Sequence, residues 1–252
     1  MQKIIEVLNS FDPITLCELE SNMLMSRFDT KFKFHRNLLP EILSEVSKDY
    51  YALDINHVRL HKYESLYFDT ESYNLYLQHQ NSRRNRYKVR FRHYADTNLV
   101  FFEIKQKNNK DLTIKSRIER KCVDHCIENE CGDFVREHVQ NLDPGMLQPK
   151  LWVNYSRITL VNKFAEERLT IDVNPVFKIN GTSVAYEPLV IAEVKQGKHV
   201  RSPFLQVMKK RHIIVENISK YCMGICLLQD NIKKNNFKRN LISINKLCNE
   251  KL

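Results

Sequence analysis

Leu38, Leu39, Ile42, Leu43 and Val46 recur at helical spacing, and Pro40 falls in the first turn, where a missing N–H is tolerated. Residues 37–48 are therefore predicted to form an amphipathic helix. From Tyr63 the period changes to two. Segments 66–69, 87–94, 99–107, 112–121, 151–161, 168–173 and 189–195 read as strands, rich in β-branched and aromatic residues. The short breaks at 95–98 and 108–111 suit antiparallel hairpins rather than crossovers through helices. Helices are expected at 131–141, 202–212 and 218–229. Together these elements predict an α+β chain built around one mostly antiparallel sheet. Residues 1–230 read as a single domain. Residues 231–252 form a basic, Lys- and Asn-rich tail, either a peripheral helix or partly disordered.

The parity of the charges adds to this picture. Lys88, Arg90 and Arg92 fall on one side of their strand, with Tyr87, Val89 and Phe91 on the other. Glu103, Lys105 and Lys107 oppose Phe102 and Ile104. Lys115, Arg117, Glu119 and Lys121 oppose Ile114 and Ile118. Tyr155 shares parity with Arg157, Arg168 with Thr170 and Asp172, and Glu193 with Lys195. An ordinary wet sheet face is one reading of this pattern. Against it, a solvated face usually mixes signs, and like charges across a sheet repel by about 0.2–1 kcal/mol per pair. A polyanion would neutralise such a face. The few carboxylates among the cations, Glu103, Glu119, Asp172 and Glu193, would suit a divalent metal bridging phosphate oxygens.

The 252 residues carry a net charge of +10, with 42% apolar and 28% charged residues. The charge points to an anionic partner without choosing among nucleic acid, phosphate ligands and a membrane surface. The longest apolar run, 221–228, is far short of the roughly 20 residues of a membrane span, and no signal-peptide pattern opens the chain, so a cytoplasmic location is expected. Cys122, Cys126 and Cys131 are spaced without a C-x-x-C knuckle, which weighs against zinc. Cys222 and Cys226, one helical turn apart in an apolar run, read as buried free thiols. No Walker A or G-x-G-x-x-G sequence occurs. Asp69 in YFDT reads as the anchor of a turn.

Nine segments in order carry a resemblance: RFDTKFKFH (27–35), YFDTESYNLY (67–76), YKVRFRHY (87–94), FEIKQK (102–107), KSRIERK (115–121), NYSRI (154–158), RLTIDVN (168–174), AEVK (192–195) and ISKYCMGI (218–225). From about Arg27 to Leu228 the chain resembles the vacuolar transporter chaperone (VTC) domain. That domain is the polyphosphate polymerase branch of the CYTH, or triphosphate tunnel, superfamily. The resemblance implies an eight-stranded antiparallel β tunnel with the charged face inward and helices packed outside. It also implies that Lys31, Arg90, Arg92, Lys105, Lys115, Arg157, Arg168 and Lys220 form the catalytic basic lining. Arg27, Lys88, Tyr155, Ser219 and Lys195 would contact substrate. Glu193 would hold a divalent metal, Mn²⁺ or Mg²⁺, with Glu103 as second candidate. ATP and inorganic polyphosphate would be the ligands, without nucleic acid, and any membrane coupling would need a separate partner.

The wider superfamily opens with E-x-E-x-K, and the matching positions here are Arg27, Asp29 and Lys31. Loss of the glutamate pair removes metal-binding capacity and adds an anion ligand, which favours polymerisation over hydrolysis. Three alternatives stay open: a triphosphatase of the same superfamily, a non-catalytic polyphosphate-binding module, and a nucleic-acid binder. The last is disfavoured because the aromatic and basic residues of 87–94 alternate to opposite faces.

Overall fold

The computed structural model describes residues 1–21, 28–110, 112–197 and 201–249. The chain opens with α1 (Gln2–Leu8), β1 (Asp12–Ile14), α2 (Leu16–Ser21) and β2 (Phe28–His35). There follow α3 (Leu39–Val46), β3 (Tyr50–Leu53), β4 (His61–Asp69), α4 (Asn74–Gln80), β5 (Arg86–Tyr94), β6 (Leu99–Lys107) and β7 (Thr113–Arg120). After α5 (Asn129–His138) come β8 (Gln148–Asn162), β9 (Glu167–Ile179), β10 (Thr182–Ala185) and β11 (Leu189–Gln196). Helices α6 (Pro203–Lys210), α7 (Lys220–Leu228) and α8 (Lys238–Asn249) complete it. The tail beyond residue 230 is thus largely the helix α8, whose Ile244 is buried and whose Leu241 and Leu247 pack on the core.

The main path of the sheet runs β2-β11-β9-β8-β4-β5-β6-β7, with β1, β3 and β10 joined at its side. Every neighbouring pair on that path is antiparallel. The eight strands expected of a tunnel are present, but among the described residues strand hydrogen bonds do not close them into a ring, and β2 and β7 are the two ends. One cause is local. The segment after α6 occupies the free edge of β2, through a bridge between Phe32 and Val215 and a 2.9 Å hydrogen bond from the Glu216 N–H to the Lys31 carbonyl. The sheet nevertheless curls strongly. Lys105 on β6 lies within electrostatic reach of Glu193 on β11 and of Lys31 and Asp29 on β2.

Period-two alternation explains the layering. The apolar sides of β2, β8, β9 and β11 (Phe32, Phe34, Ile158, Leu169, Val190 and Val194 among them) bury against α1, α3 and α6. The apolar sides of β5 and β6, with Val89, Phe91, Phe102 and Ile104, bury against α5 through Cys131 and Val135. Complete burial of each such side chain contributes about 1.5–3 kcal/mol. The opposite face is the charged one. Asp69 does anchor a turn: its buried carboxylate accepts from the N–H groups of Thr70, Leu75 and Tyr76, each at 2.8 Å, and from the Tyr221 hydroxyl.

Beyond Lys220, helix α7 is apolar all round, as an enclosed helix must be. Residues 221–226 are all buried, and α7 covers one end of the inner face, with Tyr221 stacked on Tyr67 at 4.9 Å between centroids. Gly224 allows the close approach. A Cβ there would stand 2.7 Å from side-chain atoms of both Leu151 and Phe177. Gly224→Ala is expected to destabilise the fold by about 1–3 kcal/mol through overpacking, measured by urea unfolding. An unchanged midpoint would show that α7 does not seat this way. Among the described residues no helix is long and apolar enough to cross a membrane.

Candidate functional site

Side chains from eight strands and the start of α7 meet on the inner face. On β5 the alternating positions 88, 90 and 92 point inward, and cross-strand pairing puts Arg90 opposite both Tyr67 and Glu103. Arg90 donates from Nε and Nη2 to Glu103 Oε2, at 2.8 and 2.6 Å, and from Nη1 to the Tyr67 hydroxyl at 2.7 Å. Lys115 of β7 reaches the other carboxylate oxygen at 2.5 Å, and Arg92 Nε lies 3.8 Å from Oε2. Burial opposes ionisation of Glu103, yet Arg90, Arg92 and Lys115 outweigh it and hold the carboxyl far below its usual range. This carboxylate is enclosed by three cations, which suits a brace for the arginines better than an open metal ligand.

A second cluster centres on Asp172. Arg157 grips it with Nε and Nη2 at 2.6 and 2.8 Å, and the Lys220 ammonium bonds the same carboxylate. Burial again opposes ionisation, and Arg157 and Lys220 bring the pKa down to about 2. Arg157 lies over the rings of Tyr63 and Tyr155, at 4.9 and 5.2 Å, and Lys220 over Tyr155 at 4.6 Å. Tyr63 and Tyr155 are themselves stacked at 5.4 Å, and Arg92 donates to the Tyr155 hydroxyl at 3.2 Å. An irregularity in the β8–β9 pairing falls at Tyr155, opposite Asn174 with its positive φ of 51°. Such bulges re-aim side chains next to functional sites.

The third cluster is built on β11 and β2, where Glu193 pairs with Lys31 and Lys195 with Asp29. Lys195 Nζ is 2.5 Å from Glu193. Burial disfavours the Glu193 carboxylate, but Lys31, Lys195 and Lys105 together hold it well below the ordinary range. Burial pushes Lys105 down to about 7, reinforced by Lys88 and Lys31 and opposed by Glu193. Burial likewise takes Lys115 to about 8, and it lowers Lys88. Lys88 donates to Ser219 Oγ at 2.9 Å, and Lys31 to the Ile218 carbonyl at 3.3 Å, so both lysines converge on the N-terminus of α7. Ser219 caps that helix by accepting from the Cys222 N–H.

Fourteen of the fifteen residues singled out from the sequence lie within the described structure; Arg27 lies outside it. Arg168 is turned toward the start of the chain, where Nη2 donates to the Leu19 carbonyl at 2.8 Å. The other thirteen belong to the three clusters. The separation of aromatic from basic residues needs correction: it holds for Tyr87 and Phe91, but Tyr94 is on the inner side, 5.0 Å from Tyr63. Tyr63, Tyr67 and Tyr155, contributed by neighbouring strands, share the inner face with the arginines. Residues missed in the sequence are Tyr63 and Tyr67, and the ion pair of buried Lys33 with Glu216. Parity within 61–69 would have found the two tyrosines. Glu216 sits in irregular chain and carries no periodic signal.

The family model of the VTC domain matches residues 26–229. The chain belongs to the VTC-domain family. A candidate adenylate cyclase from Bacillus halodurans is similar to this VTC domain with a TM-score of 0.50 and 14% identity, over 82% of this chain and 100% of that one. That likeness shows the fold. A candidate adenylate cyclase from Vibrio parahaemolyticus gives a TM-score of 0.48 at 12% identity, over 79% of this chain and 99% of that one. A candidate adenylyl cyclase from Hippeastrum, described as having a dominant triphosphatase activity, gives 0.46 at 13% identity, over 82% and 98%. A search of curated proteins finds no match to this VTC domain.

Proposed function

We propose that this VTC-domain protein is a polyphosphate polymerase, transferring the γ-phosphoryl group of ATP to the end of an inorganic polyphosphate chain. The observation that carries the reading is the convergence of Arg90, Arg92, Arg157, Lys31, Lys105 and Lys220 on one inner face. Glu103, Asp172 and Glu193 there are each already held by cations. Such a surface has spare positive charge for a phosphate chain and little capacity for metal-rich hydrolysis.

In this scheme a terminal oxygen of the chain attacks the γ-phosphorus in line. A new P–O bond forms, the bond from the γ-phosphorus to the β–γ bridging oxygen breaks, and ADP leaves. Phosphoryl transfer of this kind needs positioning and charge stabilisation more than covalent help. Arg90, Arg92 and Arg157 offer planar forks suited to phosphate oxygens, and each is oriented by a carboxylate or a tyrosine hydroxyl before substrate arrives. Lys31, Lys105 and Lys220 supply compact charges.

The donors present fit a divalent ion that takes most of its ligands from substrate. No group of three His, Cys, Asp or Glu side chains capable of holding a metal exists among the described residues. Glu193 and Asp29 act on the same two lysines, Lys105 and Lys195. One or two carboxylates plus phosphate oxygens is the usual arrangement for Mg²⁺ in nucleotide sites, and Mn²⁺ shares these oxygen ligands. Glu193, with Asp29, would hold such an ion, which would supply positive charge to offset that of the phosphates. The second reading, hydrolysis of a triphosphate, is favoured by that same proximity of Asp29 and Glu193. A location in the cytoplasm is part of the proposal.

The deciding assay incubates the purified protein with γ-labelled ATP and Mn²⁺ or Mg²⁺ and resolves products by chain length. Label in long polymers, lost in Glu193→Gln, is expected. Label only in orthophosphate would replace the proposal with the triphosphatase reading.

The titration of Lys105 gives a pH dependence. A bound phosphate raises the pKa of Lys105 from its depressed value, so binding takes up a proton when pH exceeds about 7. Affinity for long-chain polyphosphate, whose internal phosphates stay ionised, should fall by up to about tenfold per pH unit above that point, the slope of one linked proton. Lys105→Arg, permanently charged, should flatten the profile between pH about 7 and about 8, where Lys115 begins to titrate, in a calorimetric titration. A wild-type profile level from pH 6 to 9 would remove Lys105 from the contact set.

A further inference from the structure

Two stretches of the chain contain no acidic residue, 72–95 and 231–249, and the fold brings them together. Asn81 Oδ1 accepts from Lys233 Nζ at 3.0 Å, and the Gln80 carbonyl accepts from the Asn236 side chain. Exposed Arg83 and Arg84 in the loop between α4 and β5 therefore follow closely on Asn81, which holds exposed Lys233, and exposed Lys238 and Arg239 come soon after it in the chain. An ordinary soluble surface mixes signs, and a contiguous single-sign field marks electrostatic capture.

This patch continues the inner face. Along β5 the inward positions read Arg92, Arg90, Lys88 and then Arg86, and Arg86 opens directly into the loop, its Nη1 bonded to the Arg83 carbonyl at 2.7 Å. Inward residues on a strand recur about every 6.8 Å, so this row is a ladder of cations leading from the clusters to the surface. Arg86 is also within electrostatic reach of Cys222 on α7 and His79 on α4, which places the end of the ladder where α7 meets the rim.

We propose that the 81–86 loop and the start of the α8 region form a binding track for extended phosphate polymer outside the tunnel face. The track engages chain beyond the part held by Arg90, Arg92 and Lys88. The inference rests on the phosphate-polymer reading and adds to it: affinity should depend on polymer length. The continuity of the ladder with the inner face favours a polymer over an anionic membrane surface, which would have no reason to follow β5 inward.

The test compares wild type with a triple variant, Arg83→Gln, Arg84→Gln and Lys233→Gln, in titrations with inorganic tripolyphosphate and with long-chain polyphosphate. Long-chain affinity should drop by about tenfold or more at low salt, with the log–log salt slope shallower by about 2, at roughly 0.7 per lost charge. Tripolyphosphate affinity and turnover of ATP should be unchanged, which also shows that the variant is folded. Unchanged long-chain affinity would overturn the track. So would an equal loss for both ligands, or loss of binding to phosphatidylserine vesicles with long-chain binding intact. A wild-type protein that binds polyphosphate of neither length would instead remove the underlying reading, and the track with it.

Discussion

If the proposed phosphoryl transfer takes place on this face, replacement of Arg90 by alanine is expected to lower its turnover number by about 100- to 1,000-fold, the usual loss when one pre-aimed charge donor is removed from a reacting centre. Three of its donor nitrogens are engaged, two on Glu103 and one on Tyr67, so the guanidinium is fixed before substrate arrives. That pre-organisation is what makes the effect large, because no rearrangement is needed as charge develops. Arg90→Lys keeps the charge but loses the fork, and should recover only part of the rate. Steady-state kinetics at saturating metal ion checks both variants. A loss smaller than tenfold in Arg90→Ala would place the transferred group elsewhere.

Glu103→Gln has its largest effect on stability. The carboxylate is 1% exposed and balances Arg90, Arg92 and Lys115. Removing one partner from a buried ionic cluster costs about 3–5 kcal/mol, because the remaining charges lose their compensation without regaining water. Added tripolyphosphate should restore the missing negative charge, and so should raise the melting temperature more in the variant than in wild type. Equal shifts in the two proteins would mean that the ligand does not reach these cations. The same carboxylates set the acid limit. Glu103 and Asp172 are depressed in the folded state, so their contribution is complete above the unfolded carboxylate range of about 4 and is lost as pH falls toward the folded values, about 2 for Asp172. Acid unfolding monitored by circular dichroism should show Glu103→Gln to be less sensitive than wild type across that window.

Period-two alternation made the sheet legible. Strand β6 spans the residues expected, 99–107, and the inward parity of Arg90, Arg157 and Glu193 holds. Strands β8 and β9 run longer than the pattern showed, because the irregularity at 154–156 shifts the alternation and hides the continuation through Pro175 to Ile179. The short strands β1, β3 and β10 left no readable pattern over three or four residues. The open seam was not visible either. It depends on Val215 pairing with Phe32, a long-range contact that local periodicity does not encode. For the site, the family motifs located the cations, while the way carboxylates brace them depends on cross-strand register. Asp172 and Glu103 stood in the sequence as metal ligands among cations, and in the fold each is enclosed by the basic groups it orients.

The most direct measurement is a crystal structure of the protein with tripolyphosphate. Phosphates should lie along the inner face, contacting Arg90, Arg92, Arg157 and Lys220, with the N-terminus of α7 beside them. Tripolyphosphate bound only on the outer surface, with those four side chains still paired as in the free protein, would contradict the account.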